Sequence, residues 1–142
     1  MDCHATTPVD DRVLQAMLPF LTHSFGNASS RTHSYGWEAE AAVETARNQV
    51  ARLIGARAKE ILFTSGATES CNLAIRGVLS GDNGQRRHIV TQQTEHHAVL
   101  DTCHRLEREG CRLTVLPVDS NGRVDPDDVS GAITNETAIV SM

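Results

Sequence analysis

Ile61-Leu62-Phe63-Thr64-Ser65-Gly66-Ala67-Thr68-Glu69-Ser70 is a short apolar run that breaks at Ser65-Gly66 and passes into residues 67–79, where Leu73, Ala74, Val78 and Leu79 recur at helical spacing. The same change of period follows His88-Ile89-Val90-Thr91, where a polar junction ending in Thr94-Glu95-His96-His97 leads into a helix that closes at Gly110. Leu113-Thr114-Val115-Leu116-Pro117-Val118 reads as a third strand and Ala138-Ile139-Val140-Ser141 as a fourth. Four strands separated by helical segments predict an α/β chain, mainly a parallel sheet with helical crossovers. In such sheets ligands gather at the carboxyl ends of the strands, which is where both polar junctions fall.

Upstream, Asp10 is placed to cap a helix through Val13, Leu14, Met17, Leu18 and Leu21, with Pro19 arguing for a kink or an early stop. A turn-rich loop, Phe25-Gly26-Asn27-Ala28-Ser29-Ser30, precedes a long helix from about Gly36 to Ile54 that ends at Gly55. Asp119 to Asp125 superficially resembles a calcium loop, but its glycine comes too early and no glutamate closes it, so it reads as an Asn121-Gly122 turn. Asp125-Pro126 then starts a short capped helix.

Composition narrows the functions. The chain has 142 residues, 39% of them hydrophobic, with 13 Lys plus Arg against 18 Asp plus Glu, which is ordinary for a folded domain. A net charge of -5 argues against nucleic acid as a partner, since counterion displacement needs a basic face. No apolar run approaches a membrane span, and Met1-Asp2-Cys3-His4 is unlike a secretory signal, so no membrane partner and a cytoplasmic location are expected. Cys3, Cys71, Cys103 and Cys111 form no C-x-x-C pair and are expected to be reduced and partly buried, with no metal site. Lys59 is the only lysine, and its setting ahead of the first strand is that of an exposed loop residue.

Two junctions carry candidate chemistry. At Thr64 to Ser70 the free N–H groups of a helix start, with the Thr68 and Ser70 hydroxyls, suit a phosphate. The absence of a Walker lysine and of G-x-G-x-x-G disfavours nucleoside triphosphates and dinucleotides, and a bare Ser/Thr cap without a ligand is the alternative. At Thr94 to His97 an imidazole could stack on a flat ligand or exchange protons near neutral pH. Adjacent histidines diverge by about 100° on a helix, which argues against metal. A helix-cap histidine beside an exposed one is the alternative there.

Four blocks in order, Ala5-Thr6-Thr7-Pro8-Val9-Asp10, Phe25-Gly26-Asn27, Phe63 to Ser70 and Thr94 to Cys103, resemble the cysteine desulfurases of iron–sulfur cluster assembly and nitrogen fixation, class V aminotransferase-family enzymes. The resemblance implies a partial PLP-dependent transferase fold, the aspartate-aminotransferase fold type I. Residues 1–15 would belong to the segment that joins the small domain, and residues 16–142 to the first part of the large cofactor-binding domain, cut short at its carboxyl end. It implies pyridoxal 5′-phosphate as cofactor, with Ala67 and Thr68 on the phosphate and His96 stacked on the pyridine ring and taking part in proton transfer. Asn27 and Ala5-Thr6-Thr7 would lie near a substrate channel. The implied parent is a homodimer that takes sulfur from L-cysteine onto an enzyme cysteine as a persulfide, releases L-alanine and hands sulfur to an acceptor or cluster-scaffold protein.

This sequence departs from the family pattern at Ala28, where proline is usual, and at Cys71, where Asn or Asp is usual. The match covers about the first third of such an enzyme, short of the Schiff-base lysine, the carboxylate for the ring nitrogen, the arginine for the substrate carboxylate and the persulfide cysteine. The 142 residues alone are therefore expected to be inactive and, with part of their sheet and apolar surface uncovered, prone to aggregate. Other readings are a selenocysteine lyase, another class V enzyme, or a non-catalytic interaction module that keeps the phosphate site.

Overall fold

A computed structural model describes residues 6–81 and 85–142, so Cys3 and Ala5 lie outside the described residues. The chain divides into two compact units, Met1–Leu62 and Phe63–Met142. The first is helical: α1 (Asp11–Thr22), α2 (Ser34–Ile54) and a 3-10 turn (Ala58–Glu60). The second alternates α3 (Ala67–Gly81), β1 (His88–Gln92), α4 (His97–Arg108), β2 (Arg112–Leu116), α5 (Pro126–Ala132) and β3 (Thr137–Val140).

In the first unit, Asp10 caps α1 by accepting from Arg12 N at 2.8 Å. Pro19 does not stop this helix: α1 continues to Thr22, and the N–H groups of His23 and Ser24 both close on Pro19 O. The turn from α1 into α2 depends on close backbone approach. A Cβ on Gly26 would lie 2.0 Å from Tyr35 O, and one on Gly36 would lie 1.9 Å from Ser30 O. α2 ends where Gly55 takes a φ of 69°, the left-handed conformation its sequence signal demands. Arg47 of α2 donates to Ile61 O, tying the segment after the 3-10 turn back to the helix.

In the second unit the three strands run parallel in the order β2-β1-β3. β1 is central and nearly continuous in burial, which is why its sequence, His88-Ile89-Val90-Thr91, lacks polar alternation. α3 and α4 pack on one face, where Ile75, Leu79, Ile89, Val99, Cys103, Leu106 and Cys111 form the core. Pairing of β1 with β3 slips by a bulge between His88 and Ile89, so that His88 opposes Thr137 and Ile89 opposes Ile139.

The fold class stands, with one correction. Ile61-Leu62-Phe63-Thr64 is not a strand: the segment is irregular, and no ladder among the described residues includes it. An apolar run becomes a strand only when a neighbour accepts its backbone hydrogen bonds, and here Leu62 and Phe63 are 66% and 48% exposed. The sheet has three strands rather than four. Lys59 sits in the 3-10 turn and is exposed, and the Asn121-Gly122 turn and the Asp125 cap form as read, Asp125 accepting from Asp127 N at 2.9 Å. No helix among the described residues is long and apolar enough to cross a membrane.

Candidate functional site

The two junctions converge. Thr68, in the first turn of α3, and His96, immediately before α4, line one open cavity of about 410 Å³ within the second unit. That volume falls within the range of roughly 300–1,000 Å³ usual for small-ligand sites. Asn72 and Arg76 continue the α3 wall at steps of four residues from Thr68; His97, Ala98, Asp101, Thr102 and Arg105 form the α4 wall. The cavity is thus a groove between two helices, open from the starts of α3 and α4 to Arg76 and Arg105.

At the α3 start, the first ladder bond runs from Ser70 N to Gly66 O at 3.1 Å, which leaves the N–H groups of Ala67, Thr68 and Glu69 ahead of it. Glu69 Oε2 takes both Ser65 N and Ser65 Oγ at 2.7 Å. These hydrogen bonds, the Ser65 hydroxyl foremost, hold the Glu69 carboxyl below its usual range. Ser70 Oγ lies 2.6 Å from Thr64 Oγ1, whose own proton is directed to Gly66 O at 3.2 Å, so the Ser70 proton is engaged there. Thr68 is the α3 hydroxyl at the cavity wall, and Ala67 does not line the cavity.

At the α4 start, His96 is both a cap and a cavity residue. Its Nδ1 accepts the Ala98 N–H at 3.0 Å. A backbone N–H can only donate, so Nδ1 carries no proton and the neutral ring keeps its proton on Nε2. His97 is exposed, and its Nδ1 lies 4.0 Å from Asp101. The cap-and-exposed reading of the His pair holds, and the capping ring also lines the cavity, while the other is turned largely to solvent.

The donor set fits a phosphorylated aromatic ligand. Thr68 brings a hydroxyl at the start of a helix, two arginines add positive charge further along, and an imidazole supplies a flat face. Arg105 is also engaged by Glu109 at 2.6 Å, which moderates that charge. Asn72, Arg76, Asp101 and Arg105 were not singled out from sequence. The signal for the first two was there in the spacing 68, 72, 76 along one helix face.

Among the described residues, no cysteine lines the site. Cys71 is partly buried, Cys103 and Cys111 are buried, and all three are free thiols. Burial, with Glu95 adding a smaller effect, pushes the Cys103 thiol up to about 11, far from a nucleophile's range. No group of three or more potential metal ligands occurs among the described residues. In the first unit, Asn27 closes its own turn by accepting from Ser29 N at 2.9 Å, beside a cavity lined with Phe25, Gly26 and Tyr35.

A parallel α/β sheet with two helix starts, one bearing Thr68 and one capped by His96, at a shared cavity is the arrangement of a class, and the sequence gives it: the aminotransferase class-V family matches residues 1–142, and the chain belongs to that family. Within it, the chain is 57% identical over all 142 residues to the mitochondrial cysteine desulfurase of Drosophila melanogaster, covering 31% of that protein. Among solved structures it superimposes on a NifS-like protein with a TM-score of 0.86 at 40% identity, covering 98% of this chain and 38% of that one. It likewise superimposes on SspA in complex with cysteine, with a TM-score of 0.84 at 37% identity, covering 98% of this chain and 40% of that one. The chain thus spans about a third of the length of its curated relative.

Proposed function

We propose that these 142 residues form the phosphate-holding and ring-facing part of a pyridoxal 5′-phosphate site in a cysteine desulfurase. The whole enzyme would take sulfur from L-cysteine onto an enzyme cysteine as a persulfide and release L-alanine, for iron–sulfur cluster biosynthesis. The observation that carries the reading is the shared cavity of Thr68 and His96. Similarity over the full chain to a cysteine desulfurase supports the substrate class, as does likeness to a structure holding cysteine.

Each residue has a defined task in this reading. The N–H groups of Ala67, Thr68 and Glu69, with the Thr68 hydroxyl, hold phosphate oxygens; the helix terminus adds about 0.3–1 kcal/mol to the hydrogen bonds themselves. His96 lays its ring against the pyridine and offers Nε2–H as a donor. Acting as a base would require protonation at Nδ1 and release of the Ala98 N–H, so the resting imidazole is a stacking and donating group. When bound, the cofactor supplies the electron sink that carbanion chemistry at the substrate needs. Homodimer formation, a sulfur acceptor and a cytoplasmic setting belong to the same proposal and rest on the family relationship.

Titration of the 15N-labelled chain with pyridoxamine 5′-phosphate, which cannot form an imine with Lys59 or the amino terminus, tests the reading. Amide shifts are expected at Ala67, Thr68 and Glu69 together with movement of the His96 ring resonances, and unphosphorylated pyridoxamine should lose the α3 response. Shifts confined to other residues would refute it. Release of alanine from cysteine by this chain with added cofactor would overturn the division of the site between these residues and others.

A further inference from the structure

We propose that His88 is a proton-sensitive clamp: a neutral imidazole that ties the three strands together at the amino-terminal end of β1 and loses its bond from Arg112 on mild acidification, loosening the unit that carries Thr68 and His96. His88 opens the central strand and is 1% exposed. Its Nδ1 lies 2.8 Å from Thr137 Oγ1 of β3 and 2.9 Å from Arg112 Nη2 of β2, and its Nε2 lies 2.9 Å from Thr114 Oγ1 of β2. One ring therefore bonds to both neighbouring strands.

The proton positions follow from the donors. A guanidinium can only donate, so Nδ1 is an acceptor and the ring proton sits on Nε2, directed to Thr114 Oγ1. Thr137 Oγ1 already accepts Thr134 N at 2.8 Å, which leaves its own proton for Nδ1. Arg112 Nη2 is held in place by a further bond to Thr134 Oγ1 at 3.0 Å. The bulge in β3 at this point sets Thr137 opposite His88, a local irregularity with an assignable purpose.

Adding a proton at Nδ1 would set an N–H and a positive charge against the Arg112 guanidinium, which cannot accept it, and Thr137 Oγ1 would have to turn its own proton away and accept instead. The charged groups about the ring are Arg112 from β2 and Glu136 ahead of β3, and they act in opposite senses. Burial first, and then Arg112, press the imidazole below its ordinary range, while Glu136 offsets part of this. The unfolded chain binds a proton near pH 6.5 that the folded chain refuses. The stability contributed above that pH is therefore lost as pH falls through 6.5 toward the folded value, and the folding constant drops by up to about tenfold per pH unit. The perturbed carboxyls Asp10, Glu60, Glu69, Glu109 and Asp119 are all lowered, so their acid losses begin below about pH 4.5, beneath the range in which His88 acts.

The test combines imidazole 15N shifts with urea unfolding of the 142-residue chain at pH 7.5, 6.5 and 5.5. In the folded wild type, His88 should remain the neutral Nε2–H tautomer at pH 6. The urea midpoint should fall between pH 7.5 and 5.5; His88→Gln should remove the fall, and Arg112→Met, which takes away the opposing charge, should shrink it. An imidazolium signal from His88 in the folded chain at pH 6, or an equal fall in wild type and His88→Gln, overturns the proposal. Should His88→Gln not fold, the wild-type nitrogen shifts decide it unaided.

Discussion

Ile75→Ala tests the packing that holds the α3 wall of the site. Ile75 is 3% exposed and belongs to the core shared by α3, β1 and α4. Truncation removes three carbons, worth about 0.8 kcal/mol each in transfer free energy. A cavity term adds to that, for a total of roughly 2–5 kcal/mol. A unit the size of Phe63–Met142 has a total stability of roughly 4–12 kcal/mol, so the loss would be a large share of it. Leu73 on the same helix is 48% exposed, and Leu73→Ala should stay within about 0.5 kcal/mol of wild type. Urea unfolding followed by circular dichroism gives the two differences, and hydrogen exchange at Ile89 and Val90 reports whether the core strand is affected. If Ile75→Ala cost less than Leu73→Ala, or left exchange in β1 unchanged, α3 would not be docked as described and the cavity wall would lose its support.

Two further predictions use other measurements. Cys103, with its thiol raised from 9.0 to about 11, should carry about a hundredfold less thiolate at neutral pH than an unshifted thiol; iodoacetamide should leave it unlabelled until urea opens the fold, as peptide mass mapping will show. Gly26→Ala forces a methyl against Tyr35 O, which a backbone shift must relieve, and should destabilise the first unit by roughly 1–3 kcal/mol in thermal or urea melts.

Much of the architecture was legible because periodicity reports burial, and burial is what the sheet imposes. β1 declared itself by the run His88-Ile89-Val90-Thr91, and α4 by the polar junction before it and the Gly110 stop after it. The caps at Asp10 and Asp125 and the stop at Gly55 were equally direct, since each is decided within one turn. Phe63 misled because an apolar pattern says nothing about whether a pairing partner exists. Thr137 and the bulge were invisible for a related reason: a register slip depends on how two distant segments meet. At the site, Thr68 and His96 came from local turn chemistry, whereas the engagement of Ser70 by Thr64 needed coordinates. His88 read as an ordinary strand residue, and only its partners, 26 and 49 residues away, reveal its role.

The strand order has a consequence for how the chain is made. β1 lies between β2 and β3, so the middle of the sheet is finished only when its last-synthesised neighbour arrives. His88 must wait for Thr137, 49 residues further along. At about 5–20 residues per second, translation leaves one flank of β1 open for roughly 2–10 s after it is made. During that interval a ribosome-bound chain presents a half-finished ladder, which makes this stretch a natural place for chaperones to act.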